Sequence, residues 1–255
     1  MAEVAVEPRV GDPRLAAVRR IAIVPAFNEE QSVPRVIEEI RAFDPDFEVV
    51  VIDDGSADGT AASAERAGAH VVRLPFNLGI GGAVQTGFRY AHDNGFRLAV
   101  RVDGDGQHDP SQLGNLIGPL LADEADIVVG SRFAGHGGYR SSRSRRMGIT
   151  ILAKTLSTLV GRKVTDPTSG FQALNRHAIA LFAADYPHDY PEVEAALMVH
   201  RHKLRMIEVP AQMRERTAGR SSIGALASVY YMVKVMLALF VGLFRKNVTP
   251  LEEVR

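Results

Sequence analysis

The sequence predicts an α/β protein built on a doubly wound, mainly parallel sheet with helices on both faces. Three observations carry that expectation. Short apolar runs alternate with helical patterns along the first 130 residues, the order that parallel strands with crossover helices require. The runs are rich in Val and Ile and mostly continuous, as in strands buried on both faces. Polar clusters follow successive strands at one predicted edge, where open α/β sheets bind ligands.

Strands are expected at 21–24, 47–52, 70–73, 98–102 and 126–129, with helices at about 30–42, 59–68, 80–94 and 110–122 between them. Asp58-Gly59 and Asp109-Pro110 mark helix starts, each a capping side chain followed by a turn or starter residue. A Gly/Ser/Arg loop at 131–144 then changes the texture. It leads into a helix pattern at 146–160, a turn-rich stretch at 165–171, helices at 176–184 and 191–202, and a strand at 205–209. A second basic loop covers 214–222.

Residues 226–244 are apolar apart from Ser228, Tyr230, Tyr231 and Lys234. As a helix they would be about 28 Å long, close to a bilayer core. A central lysine costs roughly 2.5–3.5 kcal/mol in a spanning helix. The expectation is therefore a helix lying on a membrane surface or packed in a homodimer or homotetramer. The first residues lack a basic-then-apolar leader pattern, so a cytoplasmic protein is expected.

The chain of 255 residues has 46% apolar residues and no cysteine, which excludes global disorder, disulfides, thiolate metal sites and a cysteine nucleophile. Thirty basic residues balance thirty acidic ones, so a nucleic-acid partner is not expected. The balance hides an asymmetry. Residues 29–60 carry ten acids against Arg35 and Arg41, whereas 132–176 carry nine bases against Asp166 alone. Two solvated faces would explain this, and so would an anion-handling C-terminal half.

Asp103-Gly104-Asp105-Gly106-Gln107 places three oxygen-bearing side chains at one strand end. Alternate residues of an extended segment point the same way, so Asp103, Asp105 and Gln107 can converge on Mg2+ or Mn2+. A calcium loop starting at Asp103 would need Gly at its sixth position and Glu at its twelfth; His108 and Gly114 stand there. A metal-free Asp/Gly turn also suits these residues. Asp53-Asp54-Gly55-Ser56 reads either as a strand-to-helix turn or as a source of one carboxylate in a ligand crevice. Asn77-Leu78-Gly79-Ile80-Gly81-Gly82 is a tight turn or a phosphate cradle; without Gly-Lys-Ser/Thr it is not a Walker loop.

These segments, with Pro25-Ala26-Phe27-Asn28-Glu29, Gly130-Ser131-Arg132 and Asp166-Pro167-Thr168-Ser169-Gly170-Phe171, occur in an order that resembles family-2 glycosyltransferases. More narrowly, the chain resembles the dolichol- and polyprenyl-phosphate sugar synthases over about residues 20–240. The resemblance implies a GT-A fold, the Rossmann-like nucleotide-diphospho-sugar transferase architecture. It implies a UDP- or GDP-sugar donor, a divalent cation and a polyprenyl phosphate acceptor; the apolar terminal helix pattern is what points to peripheral association with the cytoplasmic membrane. Pro25, Ala26, Glu29, Asp53, Asp54, Gly79, Asp103 and Gly104 would hold the donor. Asp103, Asp105 and Gln107 would meet the metal, and Arg216 would close a basic loop over the donor phosphates. Arg132, with Arg145 or Arg143, would hold the acceptor phosphate, and Ser169 would shape its site. Asp105, Arg132 and Arg145 would be the catalytic set. Glu192 and Glu194 stand where other members place a base, but helix solvation also accounts for them. The corresponding division is an arm at 1–19, a catalytic domain at 20–222 (donor half 20–130, acceptor half 131–222), and a terminal helix at 223–255.

Overall fold

A computed structural model of the chain describes residues 13–134, 143–188 and 191–214, together with Lys234 and Leu237. Strands β1 (Arg20–Ala26), β2 (Glu48–Asp53), β3 (His70–Arg73) and β4 (Leu98–Arg101) alternate with helices α2 (Val33–Phe43), α3 (Thr60–Arg66) and α4 (Gly79–Asp93). The short helix α1 (Pro13–Ala16) precedes them. A one-turn 3-10 helix at Pro110–Gln112 leads into α5 (Leu113–Leu121), β5 (Ile127–Ser131) and α6 (Arg143–Val160). Then come β6 (Gln172–Asn175), α7 (Arg176–Ala184), α8 (Pro191–Arg201) and β7 (Met206–Pro210).

The seven strands form one sheet in the order β3-β2-β1-β4-β6-β5-β7. The pairs β3·β2, β2·β1, β1·β4 and β5·β7 are parallel. Strand β6 is antiparallel to both β4 and β5. The expected mainly parallel α/β sheet is present, but the sequence gives no sign of β6. Its four residues, Gln-Ala-Leu-Asn, are too short for a period to emerge, and half of them are amides.

Apolar residues line both faces, as continuous rather than alternating runs demand. Val24, Val51 and Val100 meet Ile37 of α2 and Leu116 of α5 on one side. Ile23, Ile52 and Ala99 meet Phe88 of α4 and Phe182 of α7 on the other. Helices α6 and α8 share a smaller core of Leu152, Leu156, Val193 and Leu197. The arm expected at 1–19 needs correction over its last residues. Leu15 is buried in the main core, and Arg20 forms a buried ion pair with Asp44 while donating to the Leu15 carbonyl. Residues 1–12 and nearly all of the expected terminal helix lie outside the described residues.

Candidate active site

The carboxyl ends of β1, β2 and β4 are stitched together by backbone bonds. Asp54 N–H donates to the Ala26 carbonyl at 2.9 Å, and Gly104 N–H to the Pro25 carbonyl at 3.1 Å. The strand-end loops therefore converge on one cleft, as the sheet rule requires. Gly104 permits this closeness: a Cβ there would lie 3.1 Å from the Ala26 Cβ and the Pro25 oxygen.

A cavity of about 290 Å3 opens at this junction. Its lining includes Pro25, Ala26, Glu29, Asp54, Gly79, Asp103, Gly104 and Asp105. Of the two adjacent aspartates, only Asp54 lines it. Asp53 turns back to accept from the Ser56 N–H at 3.1 Å. Asp54 accepts from the Leu78 N–H at 2.7 Å, tying the second strand end to the glycine-rich turn. Burial pushes the Asp54 carboxyl up, bonds from the Leu78 and Gly79 N–H groups oppose the shift, and the neighbouring Asp53 charge adds to it. Glu29 is held by the Ser32 hydroxyl at 2.7 Å. Asn28 sits at φ 56°, a left-handed conformation that asparagine tolerates, and its side chain accepts from the Ala57 N–H.

The Asp103–Gln107 segment divides its labour. Asp103 and Asp105 border the cavity. Gln107 lies outside that lining and donates to Asp105 twice, from its backbone N–H at 3.0 Å and its side-chain amide at 2.7 Å. Gln107 thus orients Asp105 through its two N–H groups. Among the described residues no group of three or more His, Asp or Glu side chains forms a cation cage. Two hard carboxylates at the lip of a cleft still fit Mg2+ or Mn2+, which complete their shells with water and phosphate oxygens. His108 is buried, accepts from the Asp103 N–H at 3.0 Å and stacks on Phe171 with ring centroids 4.9 Å apart. Burial lowers its pKa, the Asp103 and Asp105 charges oppose this, and Arg101 reinforces it.

The sequence profile of glycosyl transferase family 2 matches residues 21–182, from the first strand through α7. The chain belongs to glycosyl transferase family 2. It is 30% identical to a polyprenol monophosphomannose synthase of Mycolicibacterium smegmatis, covering 80% of this chain and 81% of that one. It is 31% identical to an undecaprenyl-phosphate mannosyltransferase of Micrococcus luteus, covering 81% and 88%. A crystal structure of glucosyl-3-phosphoglycerate synthase from Mycobacterium tuberculosis, with Mn2+, UDP and phosphoglyceric acid, superposes with a TM-score of 0.70. That superposition covers 92% of this chain and 82% of the other at 22% identity, so it speaks for the GT-A fold.

The second half of this glycosyltransferase gathers around Arg132. Its guanidinium forks onto Asp166, with Nε and Nη2 each 2.7 Å from a carboxylate oxygen, and Nη2 also donates to the Thr168 hydroxyl at 2.7 Å. Asp166 is completely buried and accepts the Arg132 backbone N–H as well. Ser169 is buried and donates to the Gly130 carbonyl, so it shapes this loop from within. Arg143 and Arg145 lie in the first turns of α6, but their side chains fall outside the described residues, as does Arg216. Just before residue 216, the chain is anchored at the Asp103–His108 loop: His108 bridges to Met213, and Arg214 N–H donates to the Gln107 carbonyl.

One participant escaped sequence reasoning. Arg101, the last residue of β4, is fully buried and bonds both Asp103 and Glu192. Its signal was a charged residue inside a strand expected to be buried on both faces. Glu192 meets this arginine rather than simply facing water.

Proposed function

We propose that this glycosyltransferase moves one hexose from a UDP- or GDP-sugar to a polyprenyl phosphate, with a divalent cation and with inversion at the anomeric carbon. The observation that carries the reading is the donor cavity. Three carboxylates from two strand ends, Asp54, Asp103 and Asp105, border one space of about 290 Å3 beside a glycine-rich helix start. The names of the two relatives supply the class of acceptor.

Pro25, Ala26, Glu29 and Asp54 would grip the nucleoside, and the turn at Gly79 would approach its phosphates. Asp103 and Asp105 would hold Mg2+ or Mn2+, with Asp105 aimed by Gln107. The cation would neutralise the donor diphosphate and ease its departure. The acceptor needs little activation, because a phosphate monoester with a second pKa near 6 is mostly dianionic at pH 7. Its difficulty is repulsion from the donor. Arg132, aimed by Asp166, together with Arg145 or Arg143 and Arg216, would offset that charge and fix the acceptor. The phosphate oxygen attacks the anomeric carbon, the bond to the diphosphate breaks on the opposite face, and the nucleoside diphosphate leaves.

No helix among the described residues is long and apolar enough to cross a membrane. Contact with the cytoplasmic membrane surface is assigned to the segment at 223–255, which also offers a route to a homodimer or homotetramer.

Incubation with Mg2+ or Mn2+, labelled UDP- and GDP-sugars and a short polyprenyl phosphate tests the reading. Label extracted into organic solvent only when metal is present is the expected result. Transfer only to a water-soluble phosphate monoester would move the acceptor to a soluble class. Removing residues 223–255 should abolish liposome binding; unchanged recovery on liposomes would refute the surface role.

A further inference from the structure

We infer that Arg101 is a positioning residue: it sets the Asp103 carboxylate in the donor cavity and, through Glu192, ties that carboxylate to α8 in the acceptor half. The inference rests on the transferase reading above.

Arg101 sits at the centre of the sheet, in register with Ile23 of β1 and Gln172 of β6. The neighbours Val100 and Val102 pack into the α2/α5 core, and Ala99 into the opposite one. Alternation therefore sends Arg101 to the α4/α7 side, where its side chain is only 2% exposed. A guanidinium there is costly unless paired and hydrogen-bonded. Nε donates to Asp103 Oδ1 at 3.1 Å, and Nη1 to Glu192 Oε1 at 2.8 Å. Burial works against the charge, but these two carboxylates hold the Arg101 pKa above the ordinary arginine value.

The surroundings are fitted to the guanidinium. A Cβ on Gly170 would lie 2.6 Å from Arg101 Nη2 and 2.8 Å from Cζ, so this glycine of the Thr168–Phe171 turn supplies the space. Glu192 occupies the first turn of α8, a favourable place for a carboxylate beside the helix N-terminus. Three segments far apart in sequence thus meet on one planar fork. A lysine would keep the charge but not the fork, and could not hold two carboxylates in fixed directions. Glu192 is the counter-ion of this fork, which distinguishes it from a general base facing the acceptor.

Calorimetric binding of UDP and, separately, GDP to wild type, R101K and E192Q tests this, each with Mn2+ and with EDTA and without sugar or acceptor. Melting temperatures are recorded in parallel. With Mn2+, R101K should bind the wild-type nucleotide roughly 10–100-fold more weakly, the usual effect of losing a partner that orients a metal-side carboxylate. E192Q should shift the same way by a smaller factor. In EDTA the three proteins should bind alike, a pattern that general destabilisation would not produce. Unchanged Mn2+-dependent affinity in R101K, or an equal loss with and without Mn2+, would overturn the inference. Should R101K fail to fold, wild-type behaviour in E192Q would overturn it. A wild type that binds neither nucleotide with Mn2+ would instead remove the transferase reading on which the inference rests.

Discussion

The two halves proposed to bind donor (20–130) and acceptor (131–222) handle charge in opposite ways. In the donor half, Asp54, Asp103 and Asp105 border an open cavity, held at its rim by the Leu78 N–H, the buried Arg101 and Gln107 respectively. In the acceptor half, Arg132 is folded onto the completely buried Asp166 and a threonine hydroxyl. The first arrangement presents charge to a ligand. The second builds charge into the framework, so that the same ion pair supports both the fold and the placement of the arginine. Substitutions should therefore separate activity from stability in the donor half and merge them in the acceptor half.

The sharpest break of this contrast is Asp105→Ala. Transfer should fall on the order of a thousandfold, with a melting temperature close to wild type. A large loss of stability would show that the donor rim is framework too. Next is Asp166→Ala, which leaves Arg132 without its buried partner. Breaking such a pair costs about 3–5 kcal/mol, or roughly 10 °C in a domain of this size. Circular-dichroism melts showing no change would place Arg132 on the ligand-presenting side of the comparison.

Gly55→Ala should have an intermediate effect. Gly55 has φ +72°, and an added Cβ would lie 2.8 Å from the Phe76 carbonyl carbon. The strain costs about 1–3 kcal/mol and pushes the loop carrying Asn77 and Gly79 away from Asp54. The expected signature is a raised donor KM with a modest loss of Tm. A normal donor KM would show that this loop does not set donor binding.

The smallest effect is a gain. Asp54 is an acid whose folded pKa lies above its unfolded value, so its ionised form weakens the fold at neutral pH. That penalty disappears as the pH falls through the folded pKa and on below the unfolded one. Asp54→Asn should therefore raise Tm at pH 8, with the gain shrinking towards pH 4, while donor binding weakens. A gain that did not vary with pH would assign the effect to something other than ionisation.

How far the sequence reached follows the same division. The donor half was legible because each motif sits directly after a strand, and a parallel sheet delivers all such positions to one edge. Strand-end order alone brought Pro25, Asp54 and Asp103 together. What it left open was which way each side chain turns, and Asp53 and Gln107 turn inward to hold neighbours. In the acceptor half the missing strand β6 hid the geometry. An antiparallel strand brings the residues before it, not after it, to the functional edge, so the loop at 166–171 gave no positional cue. Arg101 was hidden for another reason: a buried charge becomes readable only with its partners, and Glu192 lies far along the chain.

Strand β6 has a consequence for how this architecture can vary. Val129 and Gln172 are paired across the ladder, and Gly130 N–H donates to the Phe171 carbonyl at 2.8 Å. The excursion carrying Arg132, α6 and Asp166 therefore leaves and rejoins the sheet through adjacent points. Lengthening a segment with fixed, neighbouring ends adds only slowly to its closure entropy. Residues 132–171 thus form a cassette with a common seam. On the proposed division of labour, exchanging it between relatives would test whether acceptor preference travels with this segment, provided that Gly170 and Phe171, which pack on Arg101 and His108, are kept.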